Sequence, residues 1–489
     1  MPRHAGAGHV EVRQGVYRDS VALMQASRTI AAAPGVSGAM IAMATELNLD
    51  LIEDLGFERP AGAGPNDMVV AVAAADPAAL DHALSLVETA LTARASGRDS
   101  GGAGTGPAAA QAPRTVSAAA RDHPEAELAL ISVPGPHAFT EAMDALESGL
   151  SAVVFSDNVP VELEIRLKDE AAHRGLLVMG PDCGTAHVGG LGLGFANAVR
   201  PGPVGIVAAS GTGAQQLMCL LDAAGVGISQ CLGVGGRDLS AAVGARATRQ
   251  ALRRLDEDPA TQLIAVVSKP PDLRVAQRLQ EEGSELATPV TFGLLEPGAP
   301  DLTRFTEQLL RRLGVAVPAW PFWAPGRGRP ARPGALRGLY GGGTLAAEAH
   351  ALATDALGPV ASDDLGATGH LVVDFGADQF TVGRAHPMLD PALRNQRLAA
   401  DLADPTVGVI LLDVVLGYGA HPDPAGELAA VLAVRPHDPP AIVTALVGTQ
   451  ADPQDMDGQA KKLTDAGAYA FGSHAQAVGH AIQLLQAAR

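Results

Sequence analysis

Residues 204–224 join an apolar run to a turn of small residues, a pattern that suits an anion. Val204–Ala209 is apolar and β-branched, which predicts a buried strand, and Ala214–Ala224 has the apolar spacing of a helix. The turn between them leaves backbone N–H groups unpaired at the positive end of the helix dipole, where a phosphate is favoured. The alternative is a tight turn that binds nothing. The predicted phosphate-binding residues are Ser210, Gly211, Thr212 and Gly213.

A second strand-to-helix turn repeats this pattern near the carboxyl end of the chain. The apolar run that ends at Leu416 enters a glycine-rich turn, and a helix is predicted from Pro424. We expect the two turns to approach one anion from opposite sides. Neither turn is a Walker loop, since no G-x-x-x-x-G-K-[ST] segment occurs, and ATP binding is not predicted. The phosphate-binding residues predicted here are Gly417, Tyr418 and Gly419.

Four basic side chains are candidates for the catalytic site. Lys269 follows an apolar strand, where its ammonium can neutralise a phosphate or a carboxylate, or simply be solvated. Arg384, His386 and Arg394 fall within one predicted loop and can clamp a small dianion. The alternative for that loop is a surface segment with incidental charges. The predicted catalytic residues are Arg384, His386 and Lys269, with Arg394 as a further candidate.

Other candidates lie at predicted strand ends, most of them between residues 180 and 238. Cys183 is either a reactive thiol or a structural cysteine, and its acidic neighbour Asp182 favours the structural role by raising the thiol pKa. Asp374 and Asp413 end or interrupt apolar strands, where a carboxylate needs partners, so function and capping both stay open. The remaining candidates are Asp182, Gly235, Gly236 and Arg237.

Composition restricts the class of protein. The formal net charge of −18 argues against a nucleic-acid partner. The start of the chain is not a signal peptide, and no apolar run is long enough to span a membrane. The three cysteines have no metal-site spacing and form no even disulfide set, so we predict no metal and a reduced, cytoplasmic location. The predicted ligand is a small anionic molecule.

The chain is long enough for several domains, and strand-like and helix-like segments alternate throughout it. The predicted strands include Met68–Ala74, Ile228–Gly233 and Leu263–Ser268, and a helix is predicted at Leu239–Leu255 between the last two. Two segments rich in Gly, Ala, Pro or Arg lack periodicity and are predicted linkers. The predicted divisions are an N-terminal α/β domain at 1–95, a flexible linker at 96–115, an α/β domain at 116–200, another at 201–315, a Pro/Arg-rich linker at 316–335 and a last α/β domain at 336–489.

These motifs resemble the succinyl-CoA synthetase superfamily. Three segments resemble landmarks of its α subunit: G-P-D-C-G-T at 180–185, V-G-I-V-A-A-S-G-T-G at 204–213 and C-L-G-V-G-G-R-D at 231–238. Two further segments resemble its β subunit, namely Asp374–Gly376 and Asp413–Gly419. The resemblance implies an α/β fold with several doubly wound domains. These are a Rossmann-like, CoA-binding-type domain at 116–200 and two flavodoxin-like ligase domains, α-subunit-like at 201–315 and β-subunit-like at 336–489.

Within that superfamily the chain is more similar to the FdrA family. The resemblance covers the chain apart from the two linkers and rests on the segments Phe155–Val159, Leu177–Thr185, Gly235–Leu239, Val267–Pro271, Leu339–Glu348 and Gly383–Pro391. It implies a subunit of an oxamate carbamoyltransferase in allantoin catabolism, which converts oxalurate and phosphate to oxamate and carbamoyl phosphate. It also implies companion subunits.

Two departures from succinyl-CoA synthetase alter this expectation. No G-H-A-G-A segment follows Thr291, so the phosphohistidine relay of that enzyme is not expected. The turn Gln14–Ser20 lacks the glycines that bring a backbone close to the CoA pyrophosphate, which argues against CoA. Phosphate or carbamoyl phosphate is then a substrate, and no cofactor is assigned. An acyl-CoA synthetase and a non-catalytic organising subunit remain the alternatives.

Overall fold

The computed structural model describes residues 7–16, 20–31, 33–64, 67–92, 113–296, 298–326, 331–381, 385–434 and 439–488. Within these ranges no helix has the length and apolarity needed to cross a bilayer. The described residues divide into two compact units. The first holds residues up to 92 together with Ala385, and the second holds 113–381 and 386–488.

The N-terminal unit is a small antiparallel sheet with helices. Strand β3 is fully buried and pairs with β1 on one side and β2 on the other, both antiparallel. Apolar side chains of α1 and α3 pack on one face of this sheet and those of α2 on the other. The elements are β1 (Ala7–Arg13), α1 (Ser20–Ala31), β2 (Val36–Met43), α2 (Glu46–Asp54), β3 (Met68–Ala74) and α3 (Pro77–Thr92).

The second unit begins with a three-stranded parallel sheet in the order β4-β5-β6. Its helices cover an apolar core that includes the fully buried Ala142 and Leu167. Parallel strands joined by helices place the strand ends, and the loops that follow them, along one edge. The elements are α4 (Val116–Asp122), β4 (Leu128–Ile131), α5 (Gly135–Glu147), β5 (Ser151–Val154), α6 (Val161–His173) and β6 (Val178–Met179).

A six-stranded sheet follows, in the order β12-β11-β9-β10-β7-β8. Its first four strands are parallel, and the hairpin of β7 and β8 extends it antiparallel to β10. The elements are β7 (Thr185–Val188), β8 (Leu191–Gly194), β9 (Pro201–Ala209), α7 (Gly211–Ala223), β10 (Ile228–Gly233), α8 (Arg246–Glu257), β11 (Leu263–Ser268), α9 (Leu273–Gly283), β12 (Val290–Leu294) and α10 (Leu302–Arg312).

The last sheet has seven strands in the order β13-β19-β18-β17-β14-β16-β15, all parallel except β13. The elements are β13 (Phe322–Trp323), β14 (Ala335–Tyr340), α11 (Gly343–Leu357), β15 (Val360–Ser362), β16 (His370–Asp374), α12 (Asp378–Thr381), α13 (Ala392–Ala403), β17 (Val407–Val415), α14 (Pro424–Ala433), β18 (Ala441–Val447), α15 (Met456–Asp465), β19 (Ala468–Phe471) and α16 (His474–Ala487).

One hydrophobic core joins the six-stranded and seven-stranded sheets. It contains side chains from α7, α10, α11 and α16 together with residues of both sheets. Helix α7 is enclosed so completely that every residue from Thr212 to Leu221 is buried. Burial of a helix on all sides fixes its axis, and therefore the direction in which its first N–H groups point.

The predicted α/β class with several doubly wound domains is confirmed by these parallel sheets. The N-terminal sheet is antiparallel, so the predicted alternation of strands and helices there does not make a doubly wound domain. The helix predicted to begin at Leu239 begins at Arg246 instead, because the buried Asp238 carboxylate accepts the N–H groups of Ala247 and Thr248 and so sets the helix start.

Candidate functional site

The serine turn, Ser210–Gly213, opens helix α7 directly after the central strand β9. Ser210 is the N-cap residue, and its hydroxyl accepts the N–H of Gly213 at 3.0 Å. The N–H groups of Gly211 and Thr212 have no partner among the described residues. The predicted turn therefore forms, and two of its donors remain available to an anion.

A glycine turn, Gly341–Thr344, faces the serine turn and opens helix α11 after β14. The Ser210 and Thr344 hydroxyls are hydrogen-bonded at 2.6 Å. A Cβ on Gly342 would lie only 2.6 Å from the Thr212 methyl group, so the two turns touch where a larger residue would separate them. The N–H groups of Gly343 and Thr344 lack partners within the described part of the chain.

The shape of the glycine turn is held by a buried carboxylate. Asp413 is 1 % exposed and accepts the N–H groups of Gly341 and Gly342, each at 2.8 Å. Arg394 donates to the same carboxylate at 3.0 Å and to the Asp413 carbonyl at 2.9 Å. Asp413 therefore fixes the backbone of the site, and the buried Arg394 supports it from behind rather than standing in a surface loop.

Lys269 lies beside the first residue of α11. A Cβ on Gly343 would lie 2.6 Å from Lys269 Nζ and still closer to Asp374 Oδ2, so both side chains converge where Gly343 has no side chain. The ammonium has no hydrogen bond or ion pair within 4.0 Å among the residues that the structure describes. A partly exposed cation thus stands next to the helix end with its donors unused.

Asp374 ends β16 and is the carboxylate next to this cation. Its Oδ1 accepts the N–H of Gly376 at 2.9 Å, which leaves Oδ2 directed to Gly343. Burial raises the pKa of Asp374 to about 6, although Lys269 and the Gly376 N–H act in the opposite direction. A carboxyl group with this pKa can both accept and release a proton near neutral pH.

His386 lies near the same turn and is held in one tautomer. Its Nδ1 accepts the N–H of Met388 at 3.3 Å, so in the neutral ring the proton is assigned to Nε2. Burial, with Arg394 and Lys269 nearby, lowers the pKa of His386 to about 4 and keeps the ring neutral. A Cβ on Gly376 would lie 2.8 Å from Nε2 and 2.6 Å from the Gly341 carbonyl, which brings this N–H donor to the edge of the glycine turn.

The loop that follows β6 supplies a further carboxylate. Asp182 has a left-handed φ of 58°, and its side chain is exposed although protein atoms crowd around it. This crowding raises the pKa of Asp182 to about 7, while Lys269 lowers it and Asp157 and Asp378 raise it. The effect of Lys269 on Asp182, Asp374 and His386 places all three within electrostatic range of one ammonium.

The remaining candidates of that region have structural partners. A Cβ on Gly235 would lie 3.1 Å from the Gly180 Cα, and one on Gly236 would lie 3.4 Å from Asp182 Oδ2, so these glycines let the two loops meet. Arg237 donates to the Val159 carbonyl at 2.7 Å and pairs with Glu164 at 3.0 Å.

Cys183 and Arg384 complete the predicted set. Cys183 is buried, its thiol donates to the Thr185 carbonyl at 3.6 Å, and burial raises its pKa to about 12, which suits a structural cysteine. Arg384 lies outside the described residues.

The tyrosine turn, Gly417–Gly419, uses two of its N–H groups for contacts within the protein. Its Gly417 N–H donates to Gln454 Oε1 at 3.0 Å, and its Tyr418 N–H donates to the Ala196 carbonyl at 2.7 Å. The turn that contacts the serine turn is the glycine turn, and two of the donors predicted at the tyrosine turn have partners in the protein. The phosphate contact predicted for the tyrosine turn stays a prediction.

The sequence also contains a signal for the glycine turn, although this turn is not among the predicted phosphate-binding residues. Tyr340-Gly-Gly-Gly-Thr344 follows the apolar run Ala335–Leu339 and precedes the helical pattern of α11, as the serine turn follows β9. Arg337 interrupts that run and hides the strand, yet it is buried and bonded to the Leu336 carbonyl.

Two family comparisons match separate parts of the chain. Residues 6–107 match the family described as AllF, heavy metal-associated domain, and residues 339–484 match the CoA-ligase family. Succinate–CoA ligase [ADP-forming] subunit alpha 2 of Archaeoglobus fulgidus is 29 % identical over 182 residues, which cover 35 % of this chain and 61 % of that protein. The fold and these matches define a succinyl-CoA synthetase-like protein with a CoA-ligase domain.

A closer match extends over nearly the full length. The uncharacterised protein YahF of Escherichia coli K12 is 35 % identical over 497 residues, which cover 94 % of this chain and 95 % of that protein. The chain therefore belongs to the family of YahF.

Solved structures are matched more loosely. The phosphate and ADP complex of a dinucleotide-forming acetyl-coenzyme A synthetase 1 from Ca. Korarchaeum cryptofilum is matched with a TM-score of 0.31 and 17 % identity, over 78 % of this chain and 88 % of that chain. ATP citrate lyase from Methanothrix soehngenii is matched with a TM-score of 0.32 and 19 % identity, over 42 % and 38 %.

The N-terminal domain does not fit the heavy metal in its family description. Residues 6–107 contain no cysteine, the thiolate ligand that soft metals prefer. No group of three or more His, Cys, Asp or Glu side chains placed to hold a metal occurs in the described ranges.

The sheet β4-β5-β6 fits CoA poorly at its helix ends. Helix α5 begins Gly135-Pro136, so one N–H is missing, and His137 donates to the Pro134 carbonyl. Helix α6 carries the exposed Glu162 in its first turn, which repels a pyrophosphate, while the buried Glu164 of that turn is paired with Lys168 and Arg237. The argument against CoA from Gln14–Ser20 assumes a preceding parallel strand, whereas β1, the strand before this segment, belongs to an antiparallel sheet.

Proposed function

We propose that this chain acts in phosphate-dependent carbamoyl transfer as a subunit of an oxamate carbamoyltransferase, as the resemblance to the FdrA family implies. The reaction converts oxalurate and phosphate to oxamate and carbamoyl phosphate. One observation carries the proposal: the N-termini of α7 and α11 meet at the Ser210–Thr344 hydrogen bond, beside the ammonium of Lys269, which has no partner among the described residues. We call these two N-termini and Lys269 the anion site.

The anion site suits a phosphate dianion for electrostatic reasons. Two helix N-termini each contribute about half a positive charge. Lys269 adds a full charge that no described carboxylate neutralises within ion-pair distance. The unpaired N–H groups of Gly211, Thr212, Gly343 and Thr344 supply directional hydrogen bonds.

The transfer needs a phosphate oxygen as nucleophile and nitrogen as leaving group. The phosphate oxygen forms a bond to the carbamoyl carbon, and the bond from that carbon to the oxamate nitrogen breaks. The Nε2–H of His386 is a donor for the oxygen of the tetrahedral adduct, because its tautomer is set by Met388. Arg384 stays a prediction for the substrate carboxylate.

The departing nitrogen must gain a proton, since an amide anion is a poor leaving group. The attacking hydrogen phosphate releases one proton as its oxygen bonds to carbon, so the reaction is balanced without another reactant. Asp374 Oδ2 lies beside Lys269, and the raised pKa of this carboxyl suits a relay from phosphate to nitrogen. No phosphohistidine is required, and no histidine occurs between Val290 and Ala335.

Formation of carbamoyl phosphate from oxalurate and inorganic phosphate tests the proposal. The chain is co-purified with its companion proteins, and carbamoyl phosphate and oxamate are measured over time. Equal amounts of both products, dependent on phosphate, are expected. Product formation that needs CoA and ATP, with none from oxalurate and phosphate, would contradict it.

An acyl-CoA synthetase is the second candidate because residues 339–484 match the CoA-ligase family. This function predicts CoA-dependent release of phosphate from ATP by the pure chain. The absence of a Walker loop and the acidic start of α6 weigh against it.

A further inference from the structure

His474 is a fully buried histidine outside the anion site, at the first position of α16. Its Nδ1 is hydrogen-bonded to Glu348 Oε2, and its Nε2 lies 3.0 Å from the Tyr340 hydroxyl. Its backbone N–H donates to Gln216 Oε1 at 3.1 Å. One residue thus bonds to side chains from α7 and α11 and to the last residue of β14.

His474 is hydrogen-bonded to α7 and α11 at equivalent positions of the two helices. Gln216 lies six residues after the N-cap Ser210 of α7, and Glu348 lies six residues after the N-cap Gly342 of α11. Six residues correspond to a rise of about 9 Å, less than two turns from the end of each helix. Because His474 is hydrogen-bonded to both helices at the same distance from their N-termini, it fixes the separation of these two N-termini.

The proton positions in this network follow from burial. Burial raises the pKa of Tyr340, so its hydroxyl keeps its proton and donates to Nε2. The Nδ1–H then donates to the Glu348 carboxylate, whose Oε1 accepts the Leu302 N–H at 2.6 Å. Each of these polar groups is satisfied, as a rigid network requires.

We infer that His474 is a positioning residue that holds the N-termini of α7 and α11 at the spacing needed to bind phosphate. The inference rests on the proposed anion site. Tyr340 directly precedes the glycine turn, so the network also restrains the end of β14 where that turn begins. The N–H donors of the two helices bind one phosphate only while their separation is kept.

Two substitutions at His474 separate positioning from general stability. Asparagine places its amide nitrogen where Nδ1 lies, so His474→Asn keeps the bond to Glu348 on α11. Glutamine places its amide near Nε2, so His474→Gln keeps the contact with Tyr340 and loses the hydrogen bond to Glu348. Titration calorimetry with inorganic phosphate should give near wild-type affinity for His474→Asn and an affinity about tenfold weaker for His474→Gln, the effect of one charge-assisted bond.

A matched control variant removes a hydrogen bond at the start of α16 in which no residue of α7 or α11 takes part. The buried Thr303 and Ser473 hydroxyls are bonded at 2.7 Å, so Thr303→Val should lower the melting temperature and leave phosphate affinity unchanged. Should His474→Gln fail to fold, Gln216→Met removes the tie to α7, and an affinity about tenfold weaker is again expected.

Each outcome is decisive. Wild-type protein that binds no phosphate would overturn both the anion site and this inference. Wild-type binding with an equal affinity in His474→Gln, or in a folded Gln216→Met, would overturn the inference alone. An equal loss in His474→Asn and His474→Gln would mean that the residue only stabilises the fold, and would also overturn it.

Discussion

The serine turn and the tyrosine turn look alike in sequence and differ in what their backbones can bind. Both follow a buried central strand and precede a helix, and both contain two glycines. In the serine turn, two N–H groups have no described partner, whereas Gln454 and Ala196 take the N–H groups of the tyrosine turn. A glycine-rich turn is an anion site only where tertiary contacts leave its donors unpaired.

The surroundings of the two turns also favour an anion at the serine turn and not at the tyrosine turn. The serine turn meets a second helix end and lies near Lys269, while Tyr418 forms a β-bridge with Ala196 and is about half exposed. The first arrangement concentrates positive potential, and the second joins two segments of backbone. The comparison is tested by four sets of substitutions, given in order of expected effect.

Removal of the Lys269 charge should have the largest effect. Lys269→Met keeps the length of the side chain and removes the charge, so carbamoyl phosphate formation should fall about 10²–10³-fold. Lys461→Met is the control, because that lysine is exposed and paired with Asp465 on a distant helix. Activity within a factor of about two of wild type in Lys269→Met would break the link between this cation and phosphate.

Alanine at Gly342 and at Gly417 compares the two turns directly. A Cβ on Gly342 collides with Thr212 and should weaken phosphate binding about 10²-fold by separating the helix ends. Gly417 has a φ of +111°, so Gly417→Ala should cost about 1–3 kcal/mol of stability and leave phosphate affinity unchanged. Calorimetric titration and chemical unfolding measure the two effects. The reverse pattern would restore the tyrosine turn as the anion site.

Substitution of His386 tests its role as a neutral donor. Glutamine keeps an N–H near the Nε2 position, so His386→Gln should lose about tenfold in turnover, and His386→Ala should lose about 10²-fold. The loss should appear in kcat more than in the phosphate KM, because the donor acts on the adduct. Equal losses in both variants would show that no donor is needed there.

The smallest effect is expected from substitution of Asp374, and it concerns the free energy of unfolding. The folded pKa of Asp374, about 6, lies above the ordinary aspartate value of 3.8, so its stabilising contribution is complete below about pH 4 and is lost as pH rises through 6. Asp374→Asn should therefore match wild type near pH 4 and be about 1–2 kcal/mol more stable near pH 8. Urea unfolding at both pH values measures this difference. A variant less stable at pH 8 would show that the carboxylate is favourably paired.

Much of the fold was predictable because buried strands and amphipathic helices leave clear patterns. The strands Met68–Ala74, Ile228–Gly233 and Leu263–Ser268 agree at both ends with their predictions. Strand β14 was missed because Arg337 lies within it, and only the folded structure pairs that guanidinium with Asp401 and buries it. The start of α8 depended on the side chain of Asp238, which local spacing does not reveal.

Part of the candidate site was also predictable, because several of its residues follow strands that are recognisable in the sequence. Strand-end positions indicated the serine turn and Lys269, since parallel strands end along one edge, and His386 was indicated by its place in a loop with two arginines. Which turn faces the serine turn depends on how two sheets pack, and the partners Gln454 and Ala196 lie far from Gly417 in sequence. Spacing along the chain carries no information about such contacts. The roles assigned to Arg384 and to companion subunits stay predictions.

The most direct test of the central claim is phosphate binding by the pure chain. Calorimetric titration of inorganic phosphate compares wild type with the double variant Ser210→Ala, Gly213→Val. The valine would place its side chain toward Thr344, which is 3.0 Å from a Cβ on Gly213, and so fill the space between the two turns. The account predicts one saturable site in the wild type and none in the folded double variant. Equal binding by both proteins would contradict it.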